Sequence, residues 1–181
     1  MITISEMWNF LNSTHVTEDL LHVIDPKTGL KVPKHHYVSN VYWEYRFDMN
    51  VLEKMWDKKY TFILHSSLVN KTLRDYVENL ESENKVYCQA HVYFGKEGSK
   101  SFQIHADYPD NLIVQCVGKS KVTVYNEYAE KDGPFLGDKD IEIVEQMVLE
   151  PSDAIFIPSL RYHLFEPLTD RLSISFPMIK I

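Results

Sequence analysis

Cysteine, glycine and long apolar runs are all scarce in this sequence. Its 181 residues include two cysteines and six glycines, and two cysteines are too few for the disulfide framework of a small secreted domain. Cys88 and Cys116 lie in apolar runs, where a free cysteine usually behaves as a small buried hydrophobe. No segment approaches the ~20 apolar residues that span a bilayer, and the N-terminus carries no signal-peptide pattern. We therefore expect a cytoplasmic protein that makes no use of a membrane.

Positive charge is also in short supply. Lys and Arg number 19 against 26 Asp and Glu, which gives a formal net charge of -7. This charge provides no general attraction to nucleic acid, so we do not expect a nucleic-acid partner. The length and the 44% hydrophobic content fit one globular domain that covers residues 1–181.

The first 84 residues predict a helical region that supports the rest of the domain. Ser5 and Asp48 each precede apolar residues and are suited to cap helices. A third helix is expected to start at Ser67, because apolar residues follow it at intervals of three to four positions. Only short extended pieces are expected between these helices.

The pattern changes at residue 85 to short runs rich in Val, Ile, Tyr and Phe, separated by turn residues. Eight such runs in about a hundred residues predict a mainly β (α+β) fold, a double-stranded β-helix of the jelly-roll or cupin type that spans 85–181. The runs are VYCQAHVYF, FQIHAD, NLIVQCV, KVTVYN, IEIVEQMVL, AIFIP, RYHLFEP and RLSISF.

The segment SFQIHADYPDN holds the most informative spacing. His105 and Asp107 are two residues apart on a predicted strand, so their side chains share one face and can bind one ion. His163 follows near the end of the β region, where a barrel can bring it to the same interior. Two histidines and one carboxylate form the facial triad typical of non-heme iron(II). The alternative is that His105 and His163 are structural histidines and that Asp107 is an acidic residue of a turn.

The remaining histidines, including His22, His65 and His91, lack ligand-like spacing with a carboxylate and are treated as non-ligands.

Three further polar positions are candidates for binding a cosubstrate. Arg171 and Ser173 share one face of the last predicted strand, where a guanidinium could grip a dicarboxylate and a hydroxyl could add a hydrogen bond. The alternative is a surface arginine paired with Asp170 or Glu166. Asn111 shares a face with Gln115 in an otherwise apolar strand, which suggests a bound ligand or, equally well, hydrogen bonds to neighbouring backbone.

The stretch from Gly95 to Asn126, together with DAIFIPSLRYH, resembles the JmjC and cupin-type branch of the iron(II)/2-oxoglutarate oxygenases, in particular the small JmjC hydroxylases. The resemblance covers 95–176. It implies that His105, Asp107 and His163 bind iron(II) and that Asn111 lies near 2-oxoglutarate. It also implies hydroxylation of a C–H bond in a small molecule or a protein side chain, with molecular oxygen as the second cosubstrate.

The sequence departs from the family pattern at one position, because Ser120 stands where a lysine usually binds the distal carboxylate of 2-oxoglutarate. The ending RLS is similar to the R-x-S motif of other 2-oxoglutarate oxygenases, so Arg171 with Ser173 is the first choice for that role. Lys121 or Lys119 is the second. The rival functions are a metal cupin enzyme that does not use 2-oxoglutarate and a noncatalytic cupin that binds a small molecule or peptide. The chain ends just past the last predicted strand, without the helical dimerisation element of many JmjC hydroxylases, so we expect a monomer.

Overall fold

The computed structural model describes residues 2–13, 18–25, 29–31, 35–39, 44–99, 102–138 and 140–181. Within these ranges it contains three α-helices. They are α1 (Ile4–Ser13), α2 (Met49–Asp57) and α3 (Lys71–Asn84). None of the described helices is long and apolar enough to cross a membrane.

The described residues also form fifteen β-strands, most of them in the second half of the chain. Seven precede the first metal-ligand candidate: β1 (Leu21–Asp25), β2 (Gly29–Lys31), β3 (His35–Ser39), β4 (Glu44–Phe47), β5 (Thr61–His65), β6 (Val86–Cys88) and β7 (His91–Gly95). Eight follow: β8 (His105–Ala106), β9 (Asp110–Val117), β10 (Ser120–Tyr128), β11 (Gly133–Pro134), β12 (Ile143–Leu149), β13 (Ala154–Ile157), β14 (Arg161–Pro167) and β15 (Arg171–Lys180). Each of the eight predicted runs overlaps at least one of these strands, and the first run is divided into β6 and β7.

Two antiparallel sheets form the body of the molecule. The larger sheet has the order β13-β9-β15-β7-β5-β1-β2, with β6 also paired to β15, and the smaller has the order β11-β8-β14-β10-β12. A cluster of buried apolar side chains joins the sheets, with Ile113 and Ile157 from the larger and Val122, Val124 and Phe165 from the smaller. The prediction of a mainly β double-stranded β-helix is confirmed.

The outer face of the larger sheet is covered by the helices. A second core cluster contains one buried side chain from each helix and Phe62 and Phe94 from the sheet. The helix residues are Met7 of α1, Leu52 of α2 and Leu73 of α3. Both phenylalanines are fully buried and stack with 5.2 Å between their ring centroids. The helices therefore pack on the barrel as expected, and they leave the opposite face of this sheet to line the interior.

Residues 1–84 contribute strands to the larger sheet as well as the expected helices. β1 and β5 belong to the larger sheet, and β5 pairs with β7 across the expected boundary at residue 85. The run at β5 shows neither helical period nor alternation, because four of its five residues are buried. A strand covered on both faces has an almost continuous apolar sequence, which periodicity alone does not assign.

Two of the three helix starts also differ from expectation. Asp48 caps α2, because its carboxylate accepts a hydrogen bond from the backbone N–H of Asn50 at 3.0 Å. Ser5 lies inside α1 instead, and a reciprocal capping box between Thr3 and Glu6 closes the start of that helix. α3 begins at Lys71 and is capped by the Asn70 side chain, so the prediction of Ser67 was four residues early.

Candidate metal and cosubstrate site

The three predicted metal ligands meet between two neighbouring strands. His105 begins β8, Asp107 follows that strand directly, and His163 on β14 is the register partner of His105. One nitrogen or oxygen atom from each residue can be chosen so that all three lie within 4.8 Å of one another. The Asp107 carboxylate lies 3.8 Å from His105 Nε2 and 3.6 Å from His163 Nε2. The strand at His105 is shorter than predicted, but its pairing with β14 is sufficient to assemble the triad.

Backbone carbonyl groups fix both imidazoles in the tautomer that a metal requires. His105 Nδ1 lies 2.8 Å from the carbonyl oxygen of Gln103, and His163 Nδ1 lies 2.9 Å from that of Arg161. A carbonyl oxygen only accepts, so each Nδ1 must carry the hydrogen and donate it. In a neutral imidazole of this tautomer Nε2 keeps its lone pair, and both Nε2 atoms here face Asp107. This is the usual arrangement of metal-binding histidines.

Burial keeps His163 uncharged. Its side chain is 2% exposed, and desolvation together with the nearby His105 lowers the pKa of His163 well below its ordinary value. A neutral imidazole offers a lone pair, whereas a protonated one repels a cation. Two neutral imidazole nitrogens and one carboxylate oxygen on one side of a cavity are the donor set that suits iron(II).

The triad opens into a cavity between the two sheets. The cavity measures about 360 Å³ when the open space at its mouth is included. Apart from the triad it is lined by Tyr93, Phe102, Asn111, Ile113, Phe165, Arg171, Ser173 and Ser175. Apolar walls surround a few convergent polar groups, as in most sites that bind small molecules.

Arg171 is the buried cation of this cavity. Its side chain is only 2% exposed, and its Nη1 donates a hydrogen bond to Ser173 Oγ at 2.8 Å. Its Nε and Nη2 atoms are buried and have no hydrogen-bond partner among the described residues. Desolvation lowers the pKa of Arg171 to about 10, so the guanidinium stays charged at neutral pH. A buried charge with two idle donors leaves a strong requirement for an anion.

Tyr93 is a cavity residue that the sequence reasoning missed. It is the register partner of Ser173, so both side chains lie on the inner face of the larger sheet. Burial and the nearby Asp107 raise the pKa of Tyr93, so its hydroxyl stays protonated and able to donate. Alternation along β7 puts Tyr93 opposite in direction to Val92 and Phe94. The alternation could have predicted that Tyr93 faces the cavity, but only if β7 had been known to pair with β15.

The structure does not bring Lys121, Lys119 or Gln115 to the cavity. Lys121 pairs with Glu166 at 2.9 Å, on the face of β10 opposite to the buried Val122. Lys119 pairs with Glu150 and is 50% exposed. The Gln115 Nε2 donates to the carbonyl oxygen of Val117 at 2.7 Å, which is the backbone alternative. Asn111 does line the cavity, and its Nδ2 donates to Asp107 Oδ2 at 3.0 Å.

Comparison with known proteins assigns the family. The model of the JmjC domain matches residues 63–180, from the middle of β5 to the end of β15. The chain belongs to the JmjC domain family. At family level, this JmjC membership supports a 2-oxoglutarate-dependent oxygenase. No curated protein sequence matches the chain.

The JmjC fold is also found in solved structures. E. coli YcfD is 15% identical with a TM-score of 0.64, and the alignment covers 99% of this chain and 46% of YcfD. YcfD from Escherichia coli, described as a ribosomal oxygenase in complex with cobalt and 2-oxoglutarate, is 15% identical with a TM-score of 0.63 and covers 99% and 44%. The chain therefore spans less than half the length of these proteins, and at this identity the likeness shows the fold.

Proposed function

We propose that this JmjC protein is an iron(II) and 2-oxoglutarate-dependent oxygenase that hydroxylates a C–H bond. The observation that carries the proposal is the buried guanidinium of Arg171. It lines the same cavity as the triad, and two of its nitrogen atoms have no hydrogen-bond partner among the described residues. A metal triad alone also fits other cupin enzymes. A metal triad that shares its cavity with an unsatisfied buried cation specifically fits a cosubstrate with a distal carboxylate.

Two groups of residues would bind the two ends of 2-oxoglutarate. His105, Asp107 and His163 would hold iron(II), and the 1-carboxylate and keto oxygen of 2-oxoglutarate would face that end of the cavity. Arg171 would take the distal carboxylate through the idle Nε and Nη2, because a guanidinium matches the two oxygens of a carboxylate. Ser173 holds the guanidinium in place through Nη1.

Tyr93 is the second candidate donor to that carboxylate. Its ring lies beside the guanidinium, with Arg171 Cζ 5.9 Å from the ring centroid. Both residues line the cavity on the inner face of the larger sheet. A protonated phenol beside the guanidinium would add a neutral donor without adding charge.

The bound iron would supply oxygen activation, coupling conversion of 2-oxoglutarate and O₂ to succinate and CO₂ with insertion of one oxygen atom into the substrate C–H bond. The residues of the chain would orient the cosubstrate and exclude water from the cavity. Phe102, Ile113 and Phe165 form the apolar wall around the polar groups, and a low-dielectric wall strengthens the hydrogen bonds that orient the cosubstrate.

The substrate is a small molecule or a protein side chain that reaches the mouth of this cavity, and we place the reaction in the cytoplasm. The description of YcfD as a ribosomal oxygenase supports a search that includes protein substrates.

The proposal is tested by calorimetric titration of 2-oxoglutarate into anaerobic protein loaded with Mn(II), which replaces iron without turnover. We expect one binding site per chain. Arg171→Ala should weaken binding by about 100-fold, because it removes the charge partner of a buried carboxylate. Lys121→Ala is the matched control, since it removes a cation outside the cavity, and it should change the affinity less than about twofold.

Two outcomes would contradict the proposal. Equal binding by the wild type and Arg171→Ala would remove the role of the guanidinium. Binding of Mn(II) without any binding of 2-oxoglutarate would favour a cupin enzyme that uses its metal alone.

A further inference from the structure

Ser175 is a buried residue of the cavity that has no role in the function described so far. It lies on β15, is 6% exposed, and its hydroxyl donates to Asn111 Oδ1 at 2.5 Å. Asn111 on β9 is 4% exposed, and its Nδ2 donates to Asp107 Oδ2 at 3.0 Å. Two consecutive hydrogen bonds therefore connect the last strand of the barrel to the carboxylate of the triad.

The Asp107 carboxylate, which only accepts hydrogen bonds, determines which end of the Asn111 amide faces it. The Asn111 side chain has an acceptor end and a donor end of similar shape, so turning it over would place an oxygen against the Asp107 carboxylate. The Ser175 hydroxyl satisfies the Oδ1 end and leaves the NH₂ end toward Asp107. Neighbouring dipoles in such a chain also strengthen one another.

Asp107 needs this support more than the two histidines do. The imidazoles are held by backbone carbonyls, but the carboxylate follows a two-residue strand and is 35% exposed. The Asn111 amide fixes one of its oxygens, and the Leu160 N–H fixes only its backbone, by donating to the Asp107 carbonyl at 2.7 Å. Rotation of the carboxylate would carry both oxygens away from the histidine nitrogens.

We propose that Ser175 is a positioning residue for the metal ligand Asp107 and acts through the Asn111 amide. The proposal rests on the metal triad of the proposed function, but not on 2-oxoglutarate. It gives Asn111 a different role from the one that the sequence implied, since its amide oxygen and one N–H are engaged within the protein. Partners of metal ligands of this kind typically change metal affinity by about 10- to 100-fold.

The test is a titration with Co(II) alone, in the absence of 2-oxoglutarate, followed by the visible absorption of the bound ion. Ser175→Ala should bind Co(II) about tenfold more weakly and shift its absorption, because the carboxylate no longer holds one orientation. Ser175→Thr keeps the hydroxyl and should restore both the affinity and the spectrum. Ser120→Ala is the control, since Ser120 is also buried but does not line the cavity.

A second variant tests the same connection from the amide. Asn111→Leu keeps a similar size and removes the donor to Asp107 without adding charge, so it should weaken Co(II) at least as much as Ser175→Ala does. Thermal unfolding of each variant shows whether the fold is intact, and Asn111→Leu provides the result if Ser175→Ala does not fold.

Wild-type Co(II) affinity in Ser175→Ala, or an equal loss in Ser175→Ala and Ser175→Thr, would overturn the positioning role and leave the proposed function intact. Failure of the wild type to bind Co(II) would overturn the metal triad itself.

Discussion

Two clusters of histidines lie among the side chains that the structure describes, and they differ in the hydrogen bonds of their ring nitrogens. The first is the pair His105 and His163, whose ring centroids are 4.3 Å apart. The second, here called the histidine row, consists of His22 on β1, His65 on β5 and His91 on β7. Its successive ring centroids are 4.8 Å and 4.4 Å apart. Among the described residues, only His105, Asp107 and His163 bring three ligand atoms within 4.8 Å of one another.

Their hydrogen bonds separate them. In the first cluster each Nδ1 donates to a backbone carbonyl, and each Nε2 faces Asp107. In the histidine row the nitrogens engage one another or a side chain, with His65 Nε2 3.1 Å from His22 Nδ1 and His91 Nε2 3.2 Å from Gln89 Oε1. The backbone bonds of the first cluster leave two Nε2 atoms converging beside a carboxylate, whereas in the histidine row one ring nitrogen bonds to the next ring. Because His22, His65 and His91 form no group of converging metal ligands among the described residues, we interpret the histidine row as a packing feature of the sheet.

The largest expected difference between the clusters is in metal binding. Asp107→Ala or His163→Ala should weaken Co(II) by more than about 100-fold, because each removes a direct ligand and not merely its support. His65→Ala should leave the affinity of the triad unchanged. Equilibrium dialysis of the three variants against Co(II) measures this, and an equal loss in His65→Ala would erase the distinction.

The next effect is in stability against pH. Burial and the neighbouring histidines lower the pKa of His65 and His91 from 6.5 to about 4. Between these values the unfolded chain binds more protons than the folded protein, so the free energy of unfolding falls as the pH falls from about 6.5 to about 4. The metal-free His163 contributes with the same sign.

Removing one member of the histidine row should therefore flatten the acid side of the stability profile. We expect the melting temperature of His91→Gln to fall less between pH 6.5 and pH 4.5 than that of the wild type, as followed by circular dichroism. The comparison should be made in metal-free protein. A slope identical to that of the wild type would contradict the uncharged state of this histidine.

The smallest effect concerns β7, which contributes His91 to the histidine row and Tyr93 to the cavity. Tyr93→Phe keeps the ring and removes one neutral donor, so 2-oxoglutarate affinity should fall by about two- to tenfold, the value of one hydrogen bond. The titration with Mn(II)-loaded protein measures it. A loss as large as that expected for Arg171→Ala would show that the phenol, and not the guanidinium, dominates the binding of the carboxylate.

The sequence was most informative about which side chains lie on the same face of one strand, because the alternation along that strand decides this. Alternation predicted that Arg171 and Ser173 share a face, and the structure places both in the cavity. The spacing of His105 and Asp107 likewise predicted that they meet. These inferences are local, since they need the direction of one side chain relative to another on the same segment.

The sequence was least informative about contacts between strands, because these depend on which strands are neighbours in the sheet. Tyr93, Ser175 and the histidine row acquire their partners from the order β9-β15-β7-β5-β1, which joins segments far apart in the chain. Lys121 was a reasonable candidate by offset, but its pairing with Glu166 depends on the register between β10 and β14. Register is set by tertiary packing and is not written in the spacing of a single strand.

The most direct test of the central claim is a titration of anaerobic iron(II)-loaded protein with 2-oxoglutarate, followed by its weak visible charge-transfer absorption. We expect a band in the wild type that saturates at one 2-oxoglutarate per chain, is retained in His65→Ala, and is lost in His105→Ala. Iron binding without a band in the wild type, or a band that persists in His105→Ala, would contradict the assignment of this cavity as an iron and 2-oxoglutarate site.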